Sequence, residues 1–262
     1  MAPRPSHPPV ARKRGPKLAS GANWLRDQHV GLLVGAVFCA TQEALRRPAA
    51  ELFGEEDAGG TPRWRNALVL FPQLVGMSSL CLAAKLDHGW SLRRWCEDCK
   101  SSGMCAKSYA IVYVFLAYLF TDMLYWYLMP PPPVIMRDLM VVHHVVCICG
   151  TLYATQGFCV QAATPSFIEG VCVLEFGSAC SNLFALYRND DSAELVLRVK
   201  QLYFLGMCFS NSYGAYCTTA WYQRQTEGGA SRWAVWLPIV LWIALLVLRQ
   251  EALHKLAGPT TW

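Results

Sequence analysis

Four ionisable side chains stand inside long apolar runs of this chain: Asp122, His143, His144 and Glu175. A charged group at bilayer depth costs several kcal/mol unless it is paired or wetted, so such residues mark either function or a satisfied polar core. At about 1.5 Å per helical residue, Asp122 lies about 10 Å below the proline-rich loop at 130–133, and His143 about 12–14 Å below the same loop. Glu175 lies about 13 Å and His144 about 18 Å from the opposite face. Three neighbouring helices can therefore aim two carboxylates and two imidazoles at one interior layer. Adjacent histidines on a helix point about 100° apart, so one imidazole is expected to face a cavity while the other bonds a neighbouring helix. A carboxylate that fixes an imidazole tautomer leaves the second nitrogen as a general base or as a nucleophile in acyl transfer. The alternative is an Asp–His or His–Glu hydrogen bond that ties helices together, worth about 0.6–2 kcal/mol in a membrane. Spacing alone leaves both open. There is no HxxxH or HxxHH pattern, and no metal or cofactor is expected.

A softer polar set surrounds these groups. Ser178, Asn182, Asn211 and Tyr213 are the candidates for touching a lipid, with Gln73, Arg137, Asp138, Ser181, Gln201, Ser210, Ser212 and Tyr216 beside them. The small residues at 177–179 and 210–214 favour close helix packing. Arg137 and Asp138 are expected at the headgroup boundary, and Trp221, Tyr222, Trp233, Trp236 and Trp242 as interfacial anchors.

The elements that must position these residues are long apolar helices. A bilayer core of about 30 Å needs about 20 helical residues, and seven segments meet or approach that: about 28–45, 66–86, 107–129, 135–156, 166–187, 195–222 and 233–253. Gln42 and Glu43 trim the first. The prolines at 130–133 force a sharp exit from helix, which makes the third and fourth segments antiparallel neighbours. The fold class expected is all-α, a multipass transmembrane bundle of about seven helices (six to eight) enclosing a central cavity. Residues 1–22 form a basic, Pro-rich tail expected to be disordered, 23–64 the first membrane helix and its loop, 65–254 the main transmembrane domain, and 255–262 a short tail. The first apolar run begins too far in for an ordinary cleaved signal peptide and is read as a retained membrane helix. The basic residues favour a cytosolic N-terminus.

Composition agrees. Of 262 residues 54% are hydrophobic and 16% charged, against about 25% charged in soluble domains. The net charge of +5 is concentrated in the N-terminal tail rather than on a folded module, which argues against a nucleic-acid binder. Most of the 12 cysteines lie in or beside apolar runs, where they pack as small hydrophobes. Cys96, Cys99 and Cys105 instead occupy a basic, tryptophan-rich stretch read as a loop, His88–Lys107. A closed zinc site there would need a fourth ligand, and only His88 is near. Interfacial packing or palmitoylation is the expected role.

The run Tyr118-Leu119-Phe120-Thr121-Asp122-Met123-Leu124, the pair in Met140-Val141-Val142-His143-His144, and Leu174-Glu175-Phe176-Gly177-Ser178-Ala179 followed by Asn182 resemble the TLC-domain proteins. The resemblance runs from about Arg65 to His254, with its specific part in residues 118–188. It implies a multipass protein of the endoplasmic reticulum or another endomembrane, with the plasma membrane as the alternative. It also implies a lumen that admits an acyl chain, and a part in lipid synthesis, sensing or trafficking. Ceramide synthases of that family carry the same His pair, then a His-Asp and a further Asp three positions on. Here Glu175 replaces the first carboxylate and Ser178 stands at the second, which tells against N-acyl transfer. The family's other members, which usually read Glu-x-Ser-x-Pro, are closer, though Ala179 replaces the Pro. They tend to place an Arg in the following helix, where Asn211 stands here.

The expected function is therefore lipid handling, sensing or adjusting membrane lipid composition, with a membrane lipid or acyl chain as partner. The alternatives are an acyltransferase of ceramide-synthase type, with acyl-CoA as substrate and His143, His144, Asp122 and Glu175 as its catalytic candidates, and a small-molecule transporter. The last helix has no Lys for a retinal Schiff base, and no Asp-Arg-Tyr or Asn-Pro-x-x-Tyr run is present.

Overall fold

Apolar runs of this length satisfy their backbone polar groups within a single helix, and the chain uses that solution throughout. The computed structural model describes residues 21–54, 62–128, 134–155 and 160–257, and among them every regular element is helical. The readings of the N-terminal tail, of the prolines at 130–133 and of the last residues lie outside the described residues.

Helix α1 spans Gly21–Phe53. The next apolar run forms one continuous rod, Arg63–Asp87, in three parts: α2 (Arg63–Leu70), a π-helical stretch (Phe71–Ser78) and α3 (Ser79–Asp87). There follow α4 (Leu92–Ser102), α5 (Ala106–Leu128), α6 (Val134–Thr155), a 3-10 turn (Gln161–Ala163), α7 (Thr164–Tyr187), α8 (Ala193–Glu227) and α9 (Arg232–Ala257). Pro165 opens α7, where a fixed φ suits a first turn and a missing N–H costs nothing. Ser192 caps α8 by accepting a hydrogen bond from the Leu195 amide at 3.3 Å.

Three stretches are long and apolar enough to cross a membrane: Arg63–Asp87, Ala106–Trp126 and Gln161–Tyr187. Met140–Thr155 and Val235–Val247 are shorter apolar stretches of the same kind. Helices α1 and α8 have the length but carry more polar residues.

Register follows from the contacts. Helices α1 and α5 run parallel, with Cys39 Sγ 3.0 Å from Thr121 Oγ1 and the Tyr125 hydroxyl donating to Glu43 at 3.0 Å. Their approach is close because Gly31 and Gly35 face Tyr109 and Tyr113; a Cβ at either glycine would come within 2.8 Å of those residues. Helices α7 and α8 run antiparallel, pairing Glu169 with Tyr213, Phe176 with Phe209 and Phe184 with Tyr203. Helix α5 likewise opposes α6. The starts of α1, α5, α7 and α9 thus share one face, with α4 beside them, and the starts of α2, α6 and α8 share the other.

Two expectations need correction. The stretch His88–Lys107, expected as a loop, contains α4. Its buried residues Leu92, Trp95, Cys96 and Cys99 make a helical stripe under a charged outer face, and the Ser91 side chain caps its first turn. The first helix extends well past residue 45. Gln42 is buried and Glu43 is held by Tyr125 and by Arg46, so neither polar residue ends the helix.

Candidate functional site

Asp122, on α5, is completely buried. Its Oδ2 accepts from the Arg65 guanidinium at 2.6 Å and from the Trp126 indole N–H at 3.3 Å, and lies 3.0 Å from His144 Nε2. The last is a close electrostatic contact rather than an aligned hydrogen bond. The guanidinium lies 4.3 Å from the Trp126 ring centroid, a cation–π contact. On the far side of the imidazole, His144 Nδ1 is 2.6 Å from the Met140 carbonyl. His144 Nδ1 is thus held within its own helix, Nε2 faces the Asp122 carboxylate, and the residue does not line the cavity described next.

The neighbouring ring behaves differently. His143 meets His144 edge-on, with centroids 5.4 Å apart and planes at 88°, and its outward face lines a cavity of about 480 Å³ between α6, α7, α8 and α9. That volume is in the usual range of small-molecule sites. The wall is mainly aliphatic and aromatic, including Val146, Leu174, Leu241 and Trp242, and it carries the Glu175 carboxyl group and the His143 imidazole.

Glu175 belongs to a second polar group. Its Oε2 accepts from Gln73 Nε2 at 2.8 Å, the same Gln73 amide reaches the Tyr118 hydroxyl at 3.2 Å, and Asn182 donates to Gln73 Oε1 at 3.0 Å. Gln73 sits in the π-helical stretch, directly after Pro72, which has no amide proton to give the preceding turn. The widened turn brings Gln73 inward, fully buried; such π turns are frequent at functional sites. The Tyr118 ring, 6.3 Å from that of His144 between centroids, joins the two groups. The single layer expected from depth arithmetic is thus two layers joined through Tyr118, with Asp122 and His144 in one and Glu175 in the other.

The four expected lipid contacts are placed elsewhere. Asn182 holds Gln73, Tyr213 donates to Glu169 at 2.6 Å, and Ser178 bonds back to the Leu174 carbonyl at 3.3 Å. Asn211 is half-buried on α8. None of the four lines the cavity. Trp233 and Trp236 are exposed as interfacial anchors require, but Trp221 is buried at 2% exposure, so its role is packing inside the bundle. The side chains of Arg137 and Asp138 lie outside the described residues.

Three charged residues went unassigned in the sequence. Arg65, at the start of the second apolar run, is buried on Asp122. The signal was its four-residue spacing from Val69, Gln73 and Met77, all buried with it on one stripe of the rod. Lys85 and Glu169 form a third group, in direct ion-pair contact, with the Tyr213 hydroxyl 3.3 Å from Lys85 Nζ. The rule that singles out Glu175 as a charge in an apolar run applies equally to these two.

Near α4, His88 Nδ1 is 2.7 Å from Asp98 and its ring stacks on Trp95. Cys96 and Cys99 point inward, and burial pushes the Cys99 thiol up to about 12 and raises that of Cys96. Among the described residues no group of three or more His, Cys, Asp or Glu side chains is placed to hold a metal ion.

Compared with protein-family models, curated proteins and solved structures, the chain gives no match.

Proposed function

We propose that the protein is a multipass membrane protein of TLC-domain type that holds a lipid inside its helical bundle and senses or adjusts membrane lipid composition. One observation carries the reading: an apolar cavity large enough for an acyl chain, with the His143 imidazole and the Glu175 carboxylate on its wall. An amphiphile requires such a wall, mostly apolar with a few inward polar groups. The Arg65–Asp122–His144 group behind it supports the same reading as the rigid backing that fixes where His143 points. In this reading α1, α2–α3 and α5–α9 cross the membrane seven times, α4 lies at the headgroup level of one face, and the compartment is an endomembrane.

Of the catalytic candidates for the acyltransferase reading, His143 and Glu175 line the cavity. His144 does not line the cavity; its nitrogens face the Asp122 carboxylate and the Met140 carbonyl, away from any acceptor held there.

Gly150 supplies the test, because it lines the cavity and a Cβ built there meets nothing within 4 Å. Gly150→Phe starts from an unopposed Cβ and should place its ring in that space. Native mass spectrometry of the purified full chain should show co-purifying lipid in the wild type and its loss in Gly150→Phe. Equal lipid in both overturns the reading. Incubation of the wild type with acyl-CoA and an amine acceptor, compared with His143→Ala, separates binding from turnover.

A further inference from the structure

The cavity wall carries a nucleophile that lipid holding alone does not use. Of the described cysteines, Cys147 and Cys149 line the space. Cys147 follows His143 by one helical turn on α6, so their side chains stand one above the other on the same face. The Cys147 Sγ lies 3.9 Å from His143 Nδ1 and 3.8 Å from His143 Nε2. Both residues are half-buried, and both belong to the wall. Cys149 projects about 200° away from Cys147 around the helix, and it is exposed.

Near-equal distances put the sulfur against the imidazole ring instead of in line with one nitrogen. The torsion that turns such a ring has a broad minimum, so a rotation of His143 about that bond aligns a nitrogen with the thiol. A thiol in contact with an imidazole is the arrangement that activates cysteine: the thiolate attacks, and the neighbouring base takes its proton. Packing against the core accounts for the partial burial of Cys147, but a packing cysteine needs no base beside it.

The surroundings select the electrophile. A mainly aliphatic and aromatic wall suits an acyl chain. The donor must also be activated. An oxygen ester lies lower in energy than a thioester and does not readily give its acyl group to a thiol, whereas exchange between two thioesters is close to balanced. We infer that Cys147 is an acyl acceptor, taking a long-chain acyl group from an acyl thioester of the acyl-CoA class with His143 as the base. The Cys147 sulfur bonds to the acyl carbonyl carbon, the bond from that carbon to the donor's sulfur breaks, and the thiol proton passes through His143 to the departing thiolate. One thioester replaces another, with no oxidant or reductant. This rests on the reading that the cavity holds an acyl chain, and it gives that chain a point of attachment.

The test uses the purified full chain in detergent, treated first with neutral hydroxylamine to clear any acyl group already present, then incubated with palmitoyl-CoA. Intact mass and peptide mapping of the wild type should show one palmitoyl group, on Cys147, that hydroxylamine releases again. Cys147→Ala should gain none. His143→Gln, which keeps a polar side chain of similar size, should slow acylation about a hundredfold. Gly150→Phe should abolish it. The inference is overturned if the wild type stays unlabelled, if the label maps to another cysteine, or if His143→Gln is labelled as fast as the wild type. Where a variant does not fold, peptide mapping of the wild type decides. An unlabelled wild type whose co-purified lipid is lost in Gly150→Phe overturns the covalent step and leaves the lipid-handling reading standing, whereas equal lipid in those two proteins overturns that reading.

Discussion

Replacing Arg65 by Met removes the cation on which Asp122 depends and keeps most of the side-chain volume. In the wild type one buried carboxylate oxygen receives a guanidinium at 2.6 Å and an indole N–H at 3.3 Å, with an imidazole nitrogen at 3.0 Å. Breaking a buried pair by removing one partner costs about 3–5 kcal/mol, because the other charge remains in a medium that does not solvate it. His144 and Trp126 stay in place, so Arg65→Met should fall near the lower end, about 3 kcal/mol. For a domain of this size that corresponds to a melting temperature lower by about 6–12 °C. The double variant Arg65→Met/Asp122→Asn removes the orphaned charge as well and should recover about half of the loss or more. Arg65→Lys should be intermediate, since it restores the charge but not the stacking on Trp126. Unfolding in mixed SDS micelles, followed by tryptophan fluorescence, reads all four proteins. Wild-type stability in Arg65→Met, or a double variant no better than the worse single one, refutes the assignment of Asp122 as a carboxylate held by Arg65.

Other expectations follow from the same physics. Gly31→Leu places a side chain where a Cβ alone comes within 2.8 Å of Tyr109; it should loosen α1 from α5 and expose sites in α1 to limited proteolysis, with equal cleavage in both proteins as the contrary result. Glu169→Gln leaves the Lys85 ammonium without its counter-charge, and should destabilise the fold more than the pair Lys85→Met/Glu169→Gln, measured by the same SDS titration. Burial holds the Cys99 thiol at about 12 instead of the ordinary 9.0. The folded state keeps it neutral, so its contribution to stability is complete below pH 9 and is lost as the pH climbs towards 12. Stability should fall over that window less steeply in Cys99→Ala, and maleimide should label Cys99 of the folded protein far more slowly than an exposed thiol at pH 8.

Much of the architecture was readable from hydrophobic runs because each helix must be long and apolar along its whole length, a signal that needs no knowledge of neighbours. All seven expected segments are helices, although only three are long and apolar enough to stand as spans by that measure alone. Helix α4 was less visible, since its apolar stripe covers one side of a short, basic segment and composition averages over both sides. Within the site, the 100° separation of adjacent helical side chains was enough to expect that His143 and His144 part company, and they do. The partners were not legible in that way. Arg65 and Asp122 meet across 57 positions in sequence, and the π-helical turn that brings Gln73 to Glu175 depends on a local widening after Pro72 that no apolar period records. Depth arithmetic also assumes ideal rise, so it merged two polar layers into one.

A reconstruction of the full chain in lipid nanodiscs by electron cryomicroscopy bears most directly on whether the bundle holds a lipid. The account predicts elongated density in the space between α6, α7, α8 and α9, alongside His143. Side chains closed over that space, with lipid density confined to the outside of the helices, would contradict it.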